Sequence, residues 1–319
     1  SDRTSRRMKP SPAGIAAAGI AVIAFGLVFV SCGSEDEARE EGRDYRQDMR
    51  DFVQSISSYG KGLSPGFIVI PQNGHQLASR YEDTVVPAEE YLSSIDGLGR
   101  EDLFYGYERD DAPTPPSERA AMIVLLDLAK ANGRRILVTD YCTTRSYVVD
   151  SYAQNAARGY ISFAADHREL DNIPAFPAEP RNVDSADVAS LAAAKNFLYL
   201  LNPGGFGGKA AFLNAVRGTN FDAVIIDLYY DGGEALTPAE VASLKVKANG
   251  GKRLAIAYMS IGEAEDYRFY WKPAWRLTRP AWLLGENPDW PGNYKVRYWD
   301  PAWQSIITSM PKPSWNRCA

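Results

Sequence analysis

The chain is poor in the residues that most often build reactive centres. It has three cysteines and two histidines in 319 residues. His75 and His167 lie far apart, and no His or Cys cluster has metal-ligand spacing, so neither a metal nor a cofactor is expected. No nucleophile-elbow motif accompanies either histidine, which leaves a Ser-His-Asp triad without its signature. His75 could line a cleft, but a loop imidazole bonded to backbone is the plainer reading. The run Gly204-Gly205-Phe206-Gly207-Gly208-Lys209 lacks the leading Gly and following Ser or Thr of a phosphate loop, and reads as a flexible loop. There is no excess of basic charge either. A net charge of -5 leaves no electrostatic footprint for nucleic acid. Cys142 and Cys318 could bridge in an oxidising compartment, but nothing in the sequence shows that they meet.

One long apolar run is present, Ala13 to Val30, preceded by Arg6, Arg7 and Lys9 and closed by Ser31-Cys32-Gly33. A basic start, an apolar stretch and a small residue at the cut describe an export signal. A Cys directly after the cut resembles the bacterial lipobox, with Phe29 where Leu is usual, and marks Cys32 for lipidation. An uncleaved transmembrane anchor is the alternative, since the run is close to the ~18-residue lower limit for spanning. Either way the remainder is expected outside the cytoplasm, and on the favoured reading it is an envelope lipoprotein held to the membrane by its lipid. Residues 1–32 are thus read as signal peptide. Residues 33–46, charged and with almost nothing to bury, read as an acidic tether. Residues 47–319 are read as one domain.

That domain alternates short apolar runs with amphipathic stretches, the signal of α/β architecture with a parallel sheet. Met49, Phe52, Val53 and Ile56 follow helical spacing, with Gly60 and Gly62 as the stop. Ser117 is a candidate cap for a helix ending at Asn132-Gly133. Thr237, Pro238 and Glu240 form a capping-box signature. Strand runs are read at residues 67–70, 103–105, 136–138, 160–163, 197–201, 223–226 and 254–259. A closed barrel of ~250 residues would use nearly all of the chain. It needs eight strands, and only seven are found, so the expected fold is a (β/α)8 TIM-like barrel that is incomplete.

Polar residues gather where these runs end: Gln72 and Asn73, Asp140 and Tyr141, Asp227, Glu263 and Glu265. Glu101 and Asp102 stand instead at the front of the 103–105 run. In a parallel barrel the strand C-termini share one face, where active sites are built. Any single acid could equally cap a helix or pair with Arg. All seven tryptophans, Trp271 to Trp315, fall in the last stretch. They can pack a long loop on the barrel or stack on sugar rings; most are expected to pack.

The stretches Tyr258-Met259-Ser260-Ile261-Gly262-Glu263-Ala264-Glu265-Asp266-Tyr267-Arg268 and Trp290-Pro291-Gly292-Asn293-Tyr294 resemble hallmark segments of family 114 glycoside hydrolases, the endo-α-1,4-polygalactosaminidase-like barrels. Ile70-Pro71-Gln72-Asn73-Gly74 and Glu101-Asp102-Leu103-Phe104-Tyr105 resemble two more. The segment order is the reverse of the usual one, as in a circular permutation. The resemblance implies a polysaccharide substrate and a two-carboxylate mechanism. Its catalytic candidates are Glu101, Asp227 and Glu263. Gln72, Asn73, Asp140, Tyr141, Tyr258, Glu265, Arg268 and Trp290 are candidates for substrate binding, with Arg268 orienting one of the acids. It also implies a strand of the form Gly-Phe-x-Gly-x-Tyr-Leu-Asp after Ile307, which is absent. A truncated or frame-shifted end is the expectation, with hydrolysis weak or lost; the alternative is a non-catalytic carbohydrate-binding lipoprotein.

Overall fold

Apolar runs that are buried on both faces of a sheet need no polar alternation, and the strands of this chain show that pattern. In β2 (Ile68–Gln72) every residue is buried. Ile68 and Ile70 join one hydrophobic cluster, while Val69 between them joins another on the opposite face. In β4 (Arg135–Tyr141) Leu137 and Tyr141 likewise face away from Ile136 and Val138. Each of these two strands is thus a wall shared by two hydrophobic clusters.

The structure is a computed structural model and describes residues 20–24 and 42–308. Eight strands form one sheet whose neighbours all pair in parallel. They are β1 (Ile20–Ala24), β2, β3 (Gly97–Glu101), β4, β5 (Ile161–Ala165), β6 (Phe197–Leu200), β7 (Ala223–Asp227) and β10 (Leu254–Ser260). Their order is β5-β4-β3-β2-β1-β10-β7-β6. The outermost strands, β5 and β6, approach within 8 Å between Cα atoms. There the rings of Phe163 and Phe197 lie 6.0 Å apart. Helices α1 (Tyr45–Leu63), α2 (Glu89–Ser94), α3 (Pro116–Ala131), α4 (Arg145–Ala157), α5 (Lys209–Arg217), α6 (Pro238–Leu244) and α7 (Pro301–Thr308) follow the strands. A ribbon of β8 (Tyr229–Tyr230) and β9 (Glu234–Ala235) follows β7. An antiparallel sheet, β11 (Glu263–Glu265), β13 (Asn293–Val296) and β12 (Leu283–Glu286), follows β10.

Two strand readings are corrected. The sheet has eight strands, not seven: Ile20–Ala24, inside the run read as an export signal, lies between β10 and β2. The strand near Glu101 is Gly97–Glu101, not residues 103–105, so Glu101 stands at the end of its strand rather than in front of one. Two glycines and an arginine hid it, and each has a reason to be there. A Cβ on Gly99 would sit 1.8 Å from Oε1 of Gln72, so only glycine lets Gln72 cross its neighbour strand. The helix signals fared unevenly. The Thr237–Glu240 capping box forms. Ser117 is not the cap, because α3 starts one residue earlier behind Pro115. Gly60 does not stop α1 but lies inside it, where a Cβ would meet the ring of Phe67 at 2.3 Å. The helix begins at Tyr45, capped by Asp44, so it takes in the end of the expected tether.

Among the described residues no helix is long and apolar enough to cross a membrane. Cys32 and Cys318 lie outside the described residues; Cys142 is buried and its thiol is free.

Candidate active site

Parallel strands deliver their C-terminal residues to one edge of the sheet, and the side chains there alternate between the inner core and the helix layer. In β3 the last residue, Glu101, faces Gln72 at the end of β2, and Gln72 Nε2 donates to Glu101 Oε1 at 2.9 Å. The Glu101 backbone N–H donates to Asn73 Oδ1 at 3.0 Å. Asn73 itself sits at φ 60, a left-handed turn that asparagine tolerates. Glu101 is partly exposed, and its second carboxylate oxygen has no hydrogen-bond partner among the described residues.

The acid at the end of β7 is held differently. Both oxygens of Asp227 receive the Arg268 guanidinium, at 2.7 Å each, and the Tyr229 N–H donates to Oδ1 at 2.9 Å. Arg268 also donates through Nε to Glu265, whose other oxygen accepts from the Tyr267 hydroxyl at 2.7 Å. The rings of Tyr229 and Tyr267 flank the guanidinium at 5.7 and 5.1 Å. Burial alone would lower the arginine's pKa, but Glu265 and Asp227 raise it well above its ordinary value. Burial holds Asp227 above the ordinary carboxylate range in spite of Arg268. Arg268 therefore orients two acids, one more than expected.

Three tyrosines, two of them buried and Tyr258 partly so, connect these groups. Tyr141 ends β4, Tyr199 lies in β6, and Tyr258 in β10 stands in register with Asp227. Burial and then Glu101 push Tyr141 and Tyr199 up. Tyr258 is raised by burial, then by Glu265 and Tyr199. Glu101, Tyr199, Tyr258 and the Arg268 centre thus form a chain of electrostatic neighbours. Tyr199 was missed in the sequence because it lies mid-run in an apolar strand, and its only signal was period-two alternation.

Other candidates stand apart. Asp140 is fully buried and turns toward α4, the face opposite Tyr141. It accepts from the Phe104 and Tyr105 N–H groups, the Ser151 hydroxyl and Asn155. With its oxygens so engaged it braces β4 against α4 and is corrected from a substrate ligand to a structural acid. Glu263, in the antiparallel sheet, accepts from Asn287 at 2.7 Å and Asn293 at 3.1 Å and makes no hydrogen bond to Asp227 or Glu101. Asp102 pairs with Arg168 at 3.0 Å. Burial, then Glu101 beside it, pushes its pKa up to about 6. Arg168 lies 4.4 Å over the Tyr141 ring. Trp290 is 44% exposed on the β12–β13 turn. Trp271, Trp275, Trp282 and Trp303 pack ring against ring at 5.0–5.4 Å, so most of the indoles are structural. His167 bonds Asp171 and Asp166, and His75 is buried. Among the described residues no group of three or more His, Cys, Asp or Glu could hold a metal ion.

The comparison that decides the relationship concerns the second half of the chain. The profile of glycoside-hydrolase family GH114 matches residues 178–317. Over this stretch, a little under half of the chain, the sequence is similar to family GH114. The matched segment runs from before β6 to beyond α7, so it contains the Arg268 centre, Glu263 and Trp290, but not Glu101. The chain is also similar to three proteins described only as uncharacterized. One, from Deinococcus radiodurans, is 51% identical over 94 residues, 30% of this chain and 29% of its own. A second, from Methanocaldococcus jannaschii, is 38% identical over 151 residues, 47% of this chain and 42% of its own. A third, from Thermotoga maritima, is 42% identical over 96 residues, 30% of this chain and 28% of its own. Each match spans less than half of the relative's length.

Proposed function

We propose that this chain is an extracytoplasmic glycoside hydrolase acting on an α-linked, amino-sugar polysaccharide through two carboxyl groups, with Glu101 as one of them. The observation that carries the reading is the unequal state of the acids at the strand ends. Asp227, Glu263 and Glu265 have both oxygens engaged, whereas Glu101 keeps one oxygen open at the rim and the other fixed by Gln72. An acid that must take a proton or bond a sugar needs that freedom. Asp227, fixed by Arg268, positions the sugar. The eight parallel strands close into a (β/α)8 barrel at β5 and β6, with the family 114 stretches in permuted order. The assay is reducing-end release from polygalactosamine, abolished in Glu101→Gln. Full activity in that variant overturns the assignment.

A second reading, a non-catalytic carbohydrate-binding surface lipoprotein, is favoured by the same saturation. Glycosidases of this type need two working carboxyl groups, and of Glu101, Asp227, Glu263 and Glu265 only Glu101 keeps an oxygen open. It predicts affinity for the polymer without product.

Envelope attachment through Cys32 is a separate proposal, which holds only if the finished domain dispenses with β1. The export signal includes Ile20–Ala24, and a residue cannot belong both to a cleaved signal and to the finished sheet. Mass spectrometry of the membrane-extracted protein separates the two. A lipid-modified N-terminus at Cys32 supports attachment through the lipid, and retention of residues 1–31 overturns it.

A further inference from the structure

Among the described residues four arginines are almost wholly buried, at 2–8% exposure: Arg50, Arg100, Arg253 and Arg268. A buried guanidinium normally has a carboxylate or a ring of carbonyl oxygens around it. Arg268 has two carboxylates. Arg253 donates to the carbonyls of Val216, Thr219, Leu244 and Val246, and Arg50 to those of Leu77 and Ser79. Arg100 has neither. Its Nε meets the Met122 sulfur at 2.8 Å, its NH1 reaches Asn73 Oδ1 at a long 3.4 Å, and NH2 has no partner among the described residues.

The reason lies in strand alternation. Glu101 points to the inner face, so Arg100 before it points outward under α3. There it lines a cavity of about 520 Å³ between α1, α3 and the turn at His75–Ala78. Two more nitrogen-bearing side chains line the same space, His75, only 5% exposed, and Arg46, whose buried Nε has no hydrogen-bond partner among the described residues. Burial and then Arg100 lower the His75 pKa to about 3, so the ring is neutral at working pH. Glu82, paired with Arg46 at 3.4 Å, and Glu118, which accepts from Tyr107, share the lining, so Arg100 is the lining cation with no ion pair among the described residues. Tyr45, Tyr81, Tyr107 and Tyr298 supply flat apolar walls.

We propose that this cavity is a second binding site, for a sugar-sized molecule carrying one oxyanion, with the anion on Arg100 and the body against the tyrosines. A guanidinium with open donors matches a carboxylate or a phosphate oxygen fork, and the volume suits a ligand of one or two rings. Because the cavity lies on the far side of β3 from Glu101, the inference does not rest on the glycosidase reading.

Calorimetry on the purified full chain tests it with galacturonate, inorganic phosphate and galactose. Galacturonate or phosphate should bind, and galactose should not. Galacturonate alone identifies a sugar acid, and phosphate alone a phosphoryl ligand. Arg100→Met, a change that suits its Met122 neighbour, should weaken binding at least tenfold while a thermal melt stays cooperative. If that variant does not fold, Arg46→Gln decides instead, with an expected loss of several-fold. Silence from both anions, galactose binding as tight as galacturonate, or anion affinity unchanged in the folded variant overturns the proposal.

Discussion

Glu101 and Asp227 end parallel strands of one sheet, yet one is left open and the other is closed down. Glu101 keeps a neutral amide on one oxygen and nothing on the other. Asp227 shares a guanidinium with Glu265 between two tyrosine rings. A carboxylate's position in the fold therefore does not fix its role; the partners delivered by its neighbours do. An acid saturated by arginine is a rigid fixture, and an acid held by one amide can still exchange a proton or a ligand.

The contrast can be broken most severely at Arg268. Arg268→Met strands two buried carboxylates without a counter-charge and should cost about 3–5 kcal/mol in a denaturant titration. An unchanged midpoint would mean the closed side needs no cation. The next effect lies in pH. Asp102, beside Glu101, has a folded pKa of about 6, above its unfolded value. The native state holds that proton more tightly, so its contribution is complete below about pH 4 and is lost as pH rises through 6, by roughly 2–3 kcal/mol. Asp102→Asn, which tolerates the φ of 61 there, should flatten that slope in pH-dependent melts. Gly99→Ala sharpens the open side. The new methyl displaces Gln72 and should cost about 1–2 kcal/mol. Adding Gln72→Ala in that background should cost less than it does alone, since the Gln72–Glu101 bond is already gone. The smallest effect belongs to Trp290→Ala. It should change stability by under about 0.5 kcal/mol, while polysaccharide retention in affinity electrophoresis falls.

The sequence was legible where burial is symmetrical. Ile68–Ile70, Ile136–Val138 and Ala223–Ile226 are apolar because both faces of the sheet are covered, and such runs announce themselves. It was opaque where a strand serves its neighbours. Gly97–Glu101 carries a glycine for Gln72, an arginine for the cavity and a glutamate for the rim, so no β-type residue remains to mark it. The run at Ile20–Ala24 is apolar for more than one possible reason, and composition alone does not separate a strand from an export signal. At the site, acids near strand ends were found by position, but Asp140 and Asp227 look alike in sequence. What separates them is which face they take and what lies 11, 15 or 41 residues away, as Ser151, Asn155 and Arg268 show.

The packing of the indoles has a practical consequence. Every tryptophan lies at or after Trp271, and Trp282 and Trp303 stack at 5.0 Å in the middle of the group. Intrinsic emission will therefore follow the late part of the chain and stay dark to events around β2–β5. Rings this close couple their transitions, which gives a circular-dichroism couplet that vanishes as they separate. A melt followed by fluorescence alone would pass as all-or-none even if the Glu101 strands let go first. Only a second, backbone-based probe can establish that the two transitions coincide.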